Sequence, residues 1–153
     1  MTVLQTPYYK QDKVYTCAAA ALQSVLGHWS CHKSEAWLER KLKTDPRHGV
    51  SHRRLEEVSR QLGFACTFAG RGSLALIGYY LKKGSPVMVN YIEPATNQGH
   101  YAVVVGLSET EVILNDPWLG ERFKLKQNEF MRRWHNGRKN SKHWMLVLRR
   151  KIN

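Results

Sequence analysis

The hydrophobic rhythm of the chain changes near its middle. From Cys17 to Leu26 the positions are apolar almost all round, with only Gln23 and Ser24 interrupting. That predicts a buried helix rather than a surface one. Gly27 is its expected stop. A second helix is predicted near Ser34 to Leu42, ending before Pro46. A third opens at Ser51, a good N-cap residue for Ser-His-Arg-Arg-Leu-Glu, and ends at Gly63. A fourth spans Ser73 to Lys83, again before a glycine, Gly84.

Beyond Gly84 the runs shorten and fill with β-formers. Pro86 to Tyr91 predicts a strand. Tyr101 to Leu107 and Val112 to Asn115 predict a hairpin turned by Ser-Glu-Thr-Glu. A strand near Arg122 to Leu125, a short helix near Asn128 to Trp134 and a last strand, His143 to Leu148, complete the pattern. Helices first and an antiparallel sheet later make an α+β domain.

Length and composition sharpen this. The 153 residues suit a single domain, and 42% hydrophobic residues can bury a core. No apolar run approaches the roughly 20 residues of a membrane helix. The N-terminus MTVLQTPYYK lacks a secretory pattern. The three cysteines, Cys17, Cys31 and Cys66, form no CxxC pair, so neither a disulfide scaffold nor a zinc ribbon is expected. A reducing compartment, the cytoplasm, is the expected location.

Four residues carry candidate chemistry. Cys17 opens the buried helix, where free N–H groups and the helix dipole favour a thiolate. The alternative is a small buried hydrophobe, the reading preferred for Cys31 and Cys66. His100 opens the strand YAVVVGL, and Asp116 ends its partner VILND. Simple pairing sets His100 opposite roughly Trp118, an offset from Asp116 of about 10 Å along the strand. A bend at Asp116-Pro117 or a bulge is needed to close it. Asp116 would then orient the imidazole, and His100 would take the thiol proton. The competing reading is a hairpin-end histidine beside an ordinary Asp-Pro turn. Gln11, six positions before Cys17, is a candidate oxyanion donor beside the Cys17 N–H; alone, such a glutamine is usually a solvated surface residue.

Taken together, the blocks QDKVYTCAAAALQSVL, GVSHRRLEEVSRQLGF and GHYAVVVGLSETEVILNDPWLGERFKL resemble the bacteriocin-processing leader peptidases. These are cysteine peptidase family thirty-nine, a papain-like group often fused to ABC transporters. The resemblance runs from about Thr6 to Leu148. It implies a papain-like fold, with N-terminal helices packed on a C-terminal antiparallel sheet, spanning residues 1–153 as one peptidase domain. It implies Cys17 as nucleophile, His100 as base and acid, Asp116 as orienting residue and Gln11 in the oxyanion hole. It also implies a leader-peptide substrate ending in two small residues such as Gly-Gly, a possible transporter or secretion partner, and no metal or organic cofactor. One departure stands out: Ala18 follows the nucleophile where the family usually has glycine. No transporter follows residue 153, so the expectation is a stand-alone module or a piece of something longer.

Other features are weaker. His28 and His32 are spaced i,i+4 around Cys31, but a helix broken at Gly27 separates their faces, so zinc is not expected. Trp118 either shields the Asp116–His100 pair or simply packs at a sheet end. Tyr101 points away from His100 by strand alternation. Trp29, Trp37, Trp134 and Trp144 are expected to pack rather than form a stacking platform.

Net charge is +12. Residues 1–121 hold 13 Lys+Arg against 11 Asp+Glu, whereas residues 122–153 hold 11 against Glu129 alone. The excess is therefore local. It is either a solvated surface that resists aggregation or a docking patch for an acidic peptide, a partner or an anionic membrane, through Arg132, Arg133, Arg138 and Lys139. A basic nucleic-acid-binding protein is the main rival class, though no recognised binding motif is present. A papain-like toxin or effector acting on a host protein is another. A degenerate, binding-only relative is disfavoured, because all four candidate residues are present.

Overall fold

The computed structural model describes residues 3–137 and 142–151. Helices α1 (Cys17–His28), α2 (Glu35–Lys41) and α3 (His52–Gln61) come first, then strand β1 (Phe64–Ala69) and helix α4 (Leu74–Lys82). Strands β2 (Val87–Ile92), β3 (Gly99–Leu107), β4 (Glu111–Asp116) and β5 (Gly120–Lys126) follow, then α5 (Gln127–Arg133) and β6 (Met145–Arg150). Six strands form one sheet in the order β1-β6-β2-β3-β4-β5, antiparallel at every pairing. This is the α+β arrangement expected of a papain-like peptidase fold.

Alternation along the strands divides the core into two layers. Met88, Tyr101, Val103, Val105 and Ile113 face α1, α2 and α3. Val87, Val89, Tyr91, Ala102, Val104 and Leu114 face α4 and α5. Tyr101 indeed lies on the face opposite to His100's strand neighbours Ala102 and Val104, and its hydroxyl donates to Val50 O at 2.8 Å. Of the tryptophans, Trp134 and Trp144 are buried, while Trp29 and Trp37 are partly buried against the first layer.

Two local expectations are corrected. Gly27 does not end α1, which runs on to His28. A Cβ at Gly27 would lie 3.2 Å from the Pro7 ring, so the glycine serves close packing rather than a stop. The chain turns instead at Ser30, whose φ is 61°. Second, Phe64–Ala69 is a strand that the pattern does not announce. It sits at the sheet edge, only partly buried, and pairs with β6 some eighty positions later. No helix among the described residues is long and apolar enough to cross a membrane.

Candidate active site

Helix α1 brings Cys17 to the mouth of a cleft of about 540 Å³. The helix start carries no side-chain cap and no acidic residue in its first turn. Thr16, the residue before it, spends its hydroxyl on Lys13, accepting from Lys13 N at 3.0 Å and donating to Lys13 O at 2.9 Å. The positive end of the helix is thus left to the cleft.

A bulge in the β3–β4 hairpin settles how His100 and Asp116 meet. Pairing shifts by one residue between Val104 and Gly106, then holds Val103 opposite Asn115. Continued one step, this register sets Asp116 across from Ala102, one same-face position from His100. The contact is therefore diagonal, within side-chain reach, and His100 Nε2 donates to Asp116 Oδ1 at 2.8 Å. The Cys17 side chain lies close enough to the imidazole to help raise its pKa. With Nε2 on Asp116, Nδ1 is the nitrogen left for sulfur.

Asp116 is fully buried and accepts from every side. Besides His100, its Oδ1 takes the N–H groups of Trp118 and Leu119, both at 2.9 Å. Its Oδ2 takes the hydroxyl of the buried Tyr91. Trp118 thus reaches Asp116 through its backbone, while its side chain is largely exposed.

Electrostatics follow from these contacts. Burial alone would lower the pKa of His100, but the hydrogen bond to Asp116 and the neighbouring Cys17 outweigh it, and the group is pushed up to about 10. Burial alone would raise the Asp116 carboxyl, yet the His100 and Tyr91 bonds hold it below its ordinary value. Tyr91 is pushed well above the usual phenol range, chiefly by burial and then by Asp116, so it remains a donor.

Gln11 joins the same turn differently. Its main-chain N–H donates to Pro117 O at 3.0 Å. Its side chain is buried, and Nε2 donates to Lys13 O at 2.8 Å and Val14 O at 3.2 Å. The side-chain oxygen has no hydrogen-bond partner among the described residues. His100 and Asp116 are therefore linked side chain to side chain with Cys17 beside the imidazole, and Gln11 adjoins them through the backbone.

Ala18, His52, Asn90, Tyr101 and Asn136 also line the cleft, and of these the pattern singled out neither Asn90 nor Asn136. His52 stacks on Trp144 at 4.1 Å and approaches Asn90 Oδ1 at 3.4 Å. Asn90 Nδ2 then donates to His100 O at 3.1 Å, so the wall is tied to the His100 main chain. The available signal was a polar Asn90 inside an otherwise apolar strand. His28 serves packing: Nδ1 bonds Thr6 Oγ1 at 3.1 Å and Nε2 donates to Gly84 O at 2.8 Å. Cys31 and Cys66 pack against the first core layer.

The peptidase domain of Streptococcus ComA, a bi-functional ABC transporter involved in a quorum-sensing pathway, is similar in fold. It is 22% identical, with a TM-score of 0.79, over 96% of this chain and 100% of that one. A double glycine motif protease from an AMS/PCAT transporter, solved in complex with the leader peptide, is 19% identical with a TM-score of 0.75, over 97% and 94%. A C39-like peptidase from Bacillus anthracis is 14% identical with a TM-score of 0.81, over the full length of both chains. No curated protein sequence matches the chain. The model of the Peptidase C39 family matches residues 5–137. The chain, with its cysteine at a helix start and its histidine on the facing strand, belongs to the Peptidase C39 family and is a cysteine peptidase.

Proposed function

We propose that the protein cleaves a peptide bond after small residues such as Gly-Gly in a leader-type peptide, through a covalent acyl-enzyme on Cys17. The observation that carries this reading is the buried His100–Asp116 hydrogen bond beside the cleft onto which Cys17 opens from the start of α1. The preference for small residues rests on likeness to a double glycine motif protease. We read residues 1–153 as one peptidase unit, supported by solved peptidase domains that cover nearly all of it. Association with a transporter is part of the same proposal. So is a cytoplasmic location, for which three unpaired cysteines argue.

The proposed steps follow from the geometry. His100 holds the proton while Cys17 sulfur attacks the scissile carbonyl carbon. The oxyanion meets the N–H groups at the uncapped start of α1, the Cys17 N–H among them. Gln11 is the second donor in this reading, which requires its amide to release the longer bond, to Val14 O at 3.2 Å. The C–N bond breaks, and His100 passes its proton to the leaving amine. Water then gives a proton back to His100 and its oxygen to the thioester carbon, releasing the acid and regenerating the thiol. Asp116 keeps the imidazole aligned throughout.

The test is mass spectrometry of products from a peptide library, with Cys17→Ala alongside. Cleavage clustered after small residues, and absent from a folded Cys17→Ala protein, is the expected result. Undiminished cleavage by that variant would sink the assignment.

A further inference from the structure

A second cavity, of about 430 Å³, lies between the end of α5 and the start of β6. Its floor is apolar, made by Met131 and the fully buried Trp134. Its walls carry Arg132, His135, Lys142 and His143, and among the described residues no Asp or Glu lines it. The frame is braced. His143 N–H donates to Trp134 O at 3.0 Å, and Gly72 N–H donates to His143 O at 2.7 Å. The His143 ring stacks on Trp134 at 4.7 Å, and Trp134 Nε1 donates to Trp144 O at 2.9 Å.

The neighbouring charges leave this cavity basic. Glu129 is shared between Arg132 and Arg133, one carboxylate for two guanidiniums. Arg133 is turned elsewhere, donating to Ile92 O at 3.2 Å and Asn97 Oδ1 at 3.0 Å. The expected docking patch is therefore redrawn: Arg133 is a structural clamp, Arg132 remains, and Arg138 and Lys139 lie outside the described residues.

Position relates the cavity to the cleft. Asn136 lines the cleft beside Cys17, whereas its neighbours His135 and Gly137 line the basic cavity. Asn136 O lies 3.8 Å from where a Cβ on Gly99 would stand, next to His100. One main-chain segment therefore separates the two cavities, and a peptide leaving the cleft over Asn136 runs onto the basic one.

We propose that this cavity is a subsite for an acidic side chain of the peptide substrate, set on the Asn136 side of the scissile bond. The inference rests on the peptidase reading above and adds substrate chemistry to it. A cavity of this size suits one carboxylate side chain, whose stem packs on the partly exposed Met131 while its head meets Arg132 and Lys142. An extended polyanion would need a long basic track instead.

The test uses full-length protein and labelled peptides of Ala and Ser around Gly-Gly, with one Glu walked along the chain and a Gln partner for each. Binding is read by fluorescence anisotropy on Cys17→Ala protein, and cleavage on the wild type. At one stretch of positions the Glu peptide should bind roughly threefold to fivefold tighter than its Gln partner, the size of a partly exposed charge pair. Salt should shrink that ratio, and adding Arg132→Gln with Lys142→Gln should abolish it. Both side chains are exposed, so the substitutions leave the core intact, which a thermal melt checks. A Glu preference that survives both substitutions overturns the proposal. So does a short oligonucleotide or a phosphatidylserine vesicle that binds in preference to the Glu peptides and loses affinity on the same substitutions. Cleavage without any Glu preference overturns the subsite and leaves the peptidase reading standing. A Glu preference in Cys17→Ala without cleavage by the wild type does the reverse.

Discussion

Asp116 performs two tasks that looked like rivals in the sequence. Its Oδ1 closes the Asp-Pro turn by accepting from Trp118 and Leu119, and the same oxygen accepts from His100. The turn holds the carboxylate still, and the carboxylate holds the imidazole still. Asp116→Asn keeps the shape and removes the charge, so it should lower kcat by roughly 10²–10⁴-fold, the scale of a general acid–base contribution. It should also move the alkaline limb of kcat/KM from near 10 down toward the ordinary histidine value of 6.5. Linkage sets the sign for stability. The raised His100 group contributes fully below pH 6.5 and loses its contribution as pH climbs toward 10. The depressed Asp116 group contributes above its ordinary 3.8 and loses its contribution as pH falls through its lowered value. A pH series of melting temperatures should therefore show the alkaline decline in the wild type and a flatter curve in the variant. His100 and Asp116 were legible because they end two strands of one hairpin. Tyr91 was not, because its contact with Asp116 crosses a second strand pairing that no local pattern encodes.

The helix starts were the most legible elements. Ser34, Ser51 and Ser73 each accept the N–H of the residue three positions on, namely Trp37, Arg54 and Leu76. Capping is local chemistry, so sequence suffices to find it. The cap at Ser51 also bears on the cleft, because α3 begins with His52, which lines the wall. Ser51→Ala should cost about 1 kcal/mol of stability, read as a shift in the urea midpoint at unchanged slope. Helix ends and edge strands were less legible. Gly27 looked like a stop, but it is small because Pro7 packs against it from another part of the chain. β1 alternates weakly and gains its strand partner only from β6.

Across the whole molecule, residues 3–16, before α1, have no regular secondary structure yet bind the layers together. Leu4 N–H donates to Val105 O at 2.9 Å, and Asn115 Nδ2 donates to Thr6 O at 3.2 Å. Thr6 also bonds His28, and Tyr8 donates its hydroxyl to Asp116 O at 2.8 Å. Deleting residues 1–9 removes these four hydrogen bonds while sparing every candidate catalytic side chain. At about 1 kcal/mol each, the loss is several kcal/mol out of the ~5–15 typical of a domain. A much lower and broader thermal transition, with peptide cleavage falling in parallel, is the expected result. The charge asymmetry belongs here too. Its concentration after residue 121 was visible by counting, but which cations stay available was not. Glu129, Ile92 and Asn97 claim Arg133, whereas Arg132 and Lys142 face a cavity.

By itself the sequence determined what depends on neighbours along the chain: the buried helix opening at Cys17, the capped helices, the β3–β4 hairpin, and the Cys, His, Asp order that pointed to a papain-like peptidase. Tertiary structure decided what depends on distant pairings. The bulge near Gly106 sets the diagonal on which His100 meets Asp116. Tyr91 completes the carboxylate from the neighbouring strand. Gln11 folds its amide onto Lys13 and Val14 rather than into solvent. The physical reason is the same in each case. Capping, periodicity and turn chemistry act over a few residues, whereas the position of a side chain in a site depends on register and burial across strands far apart in the chain.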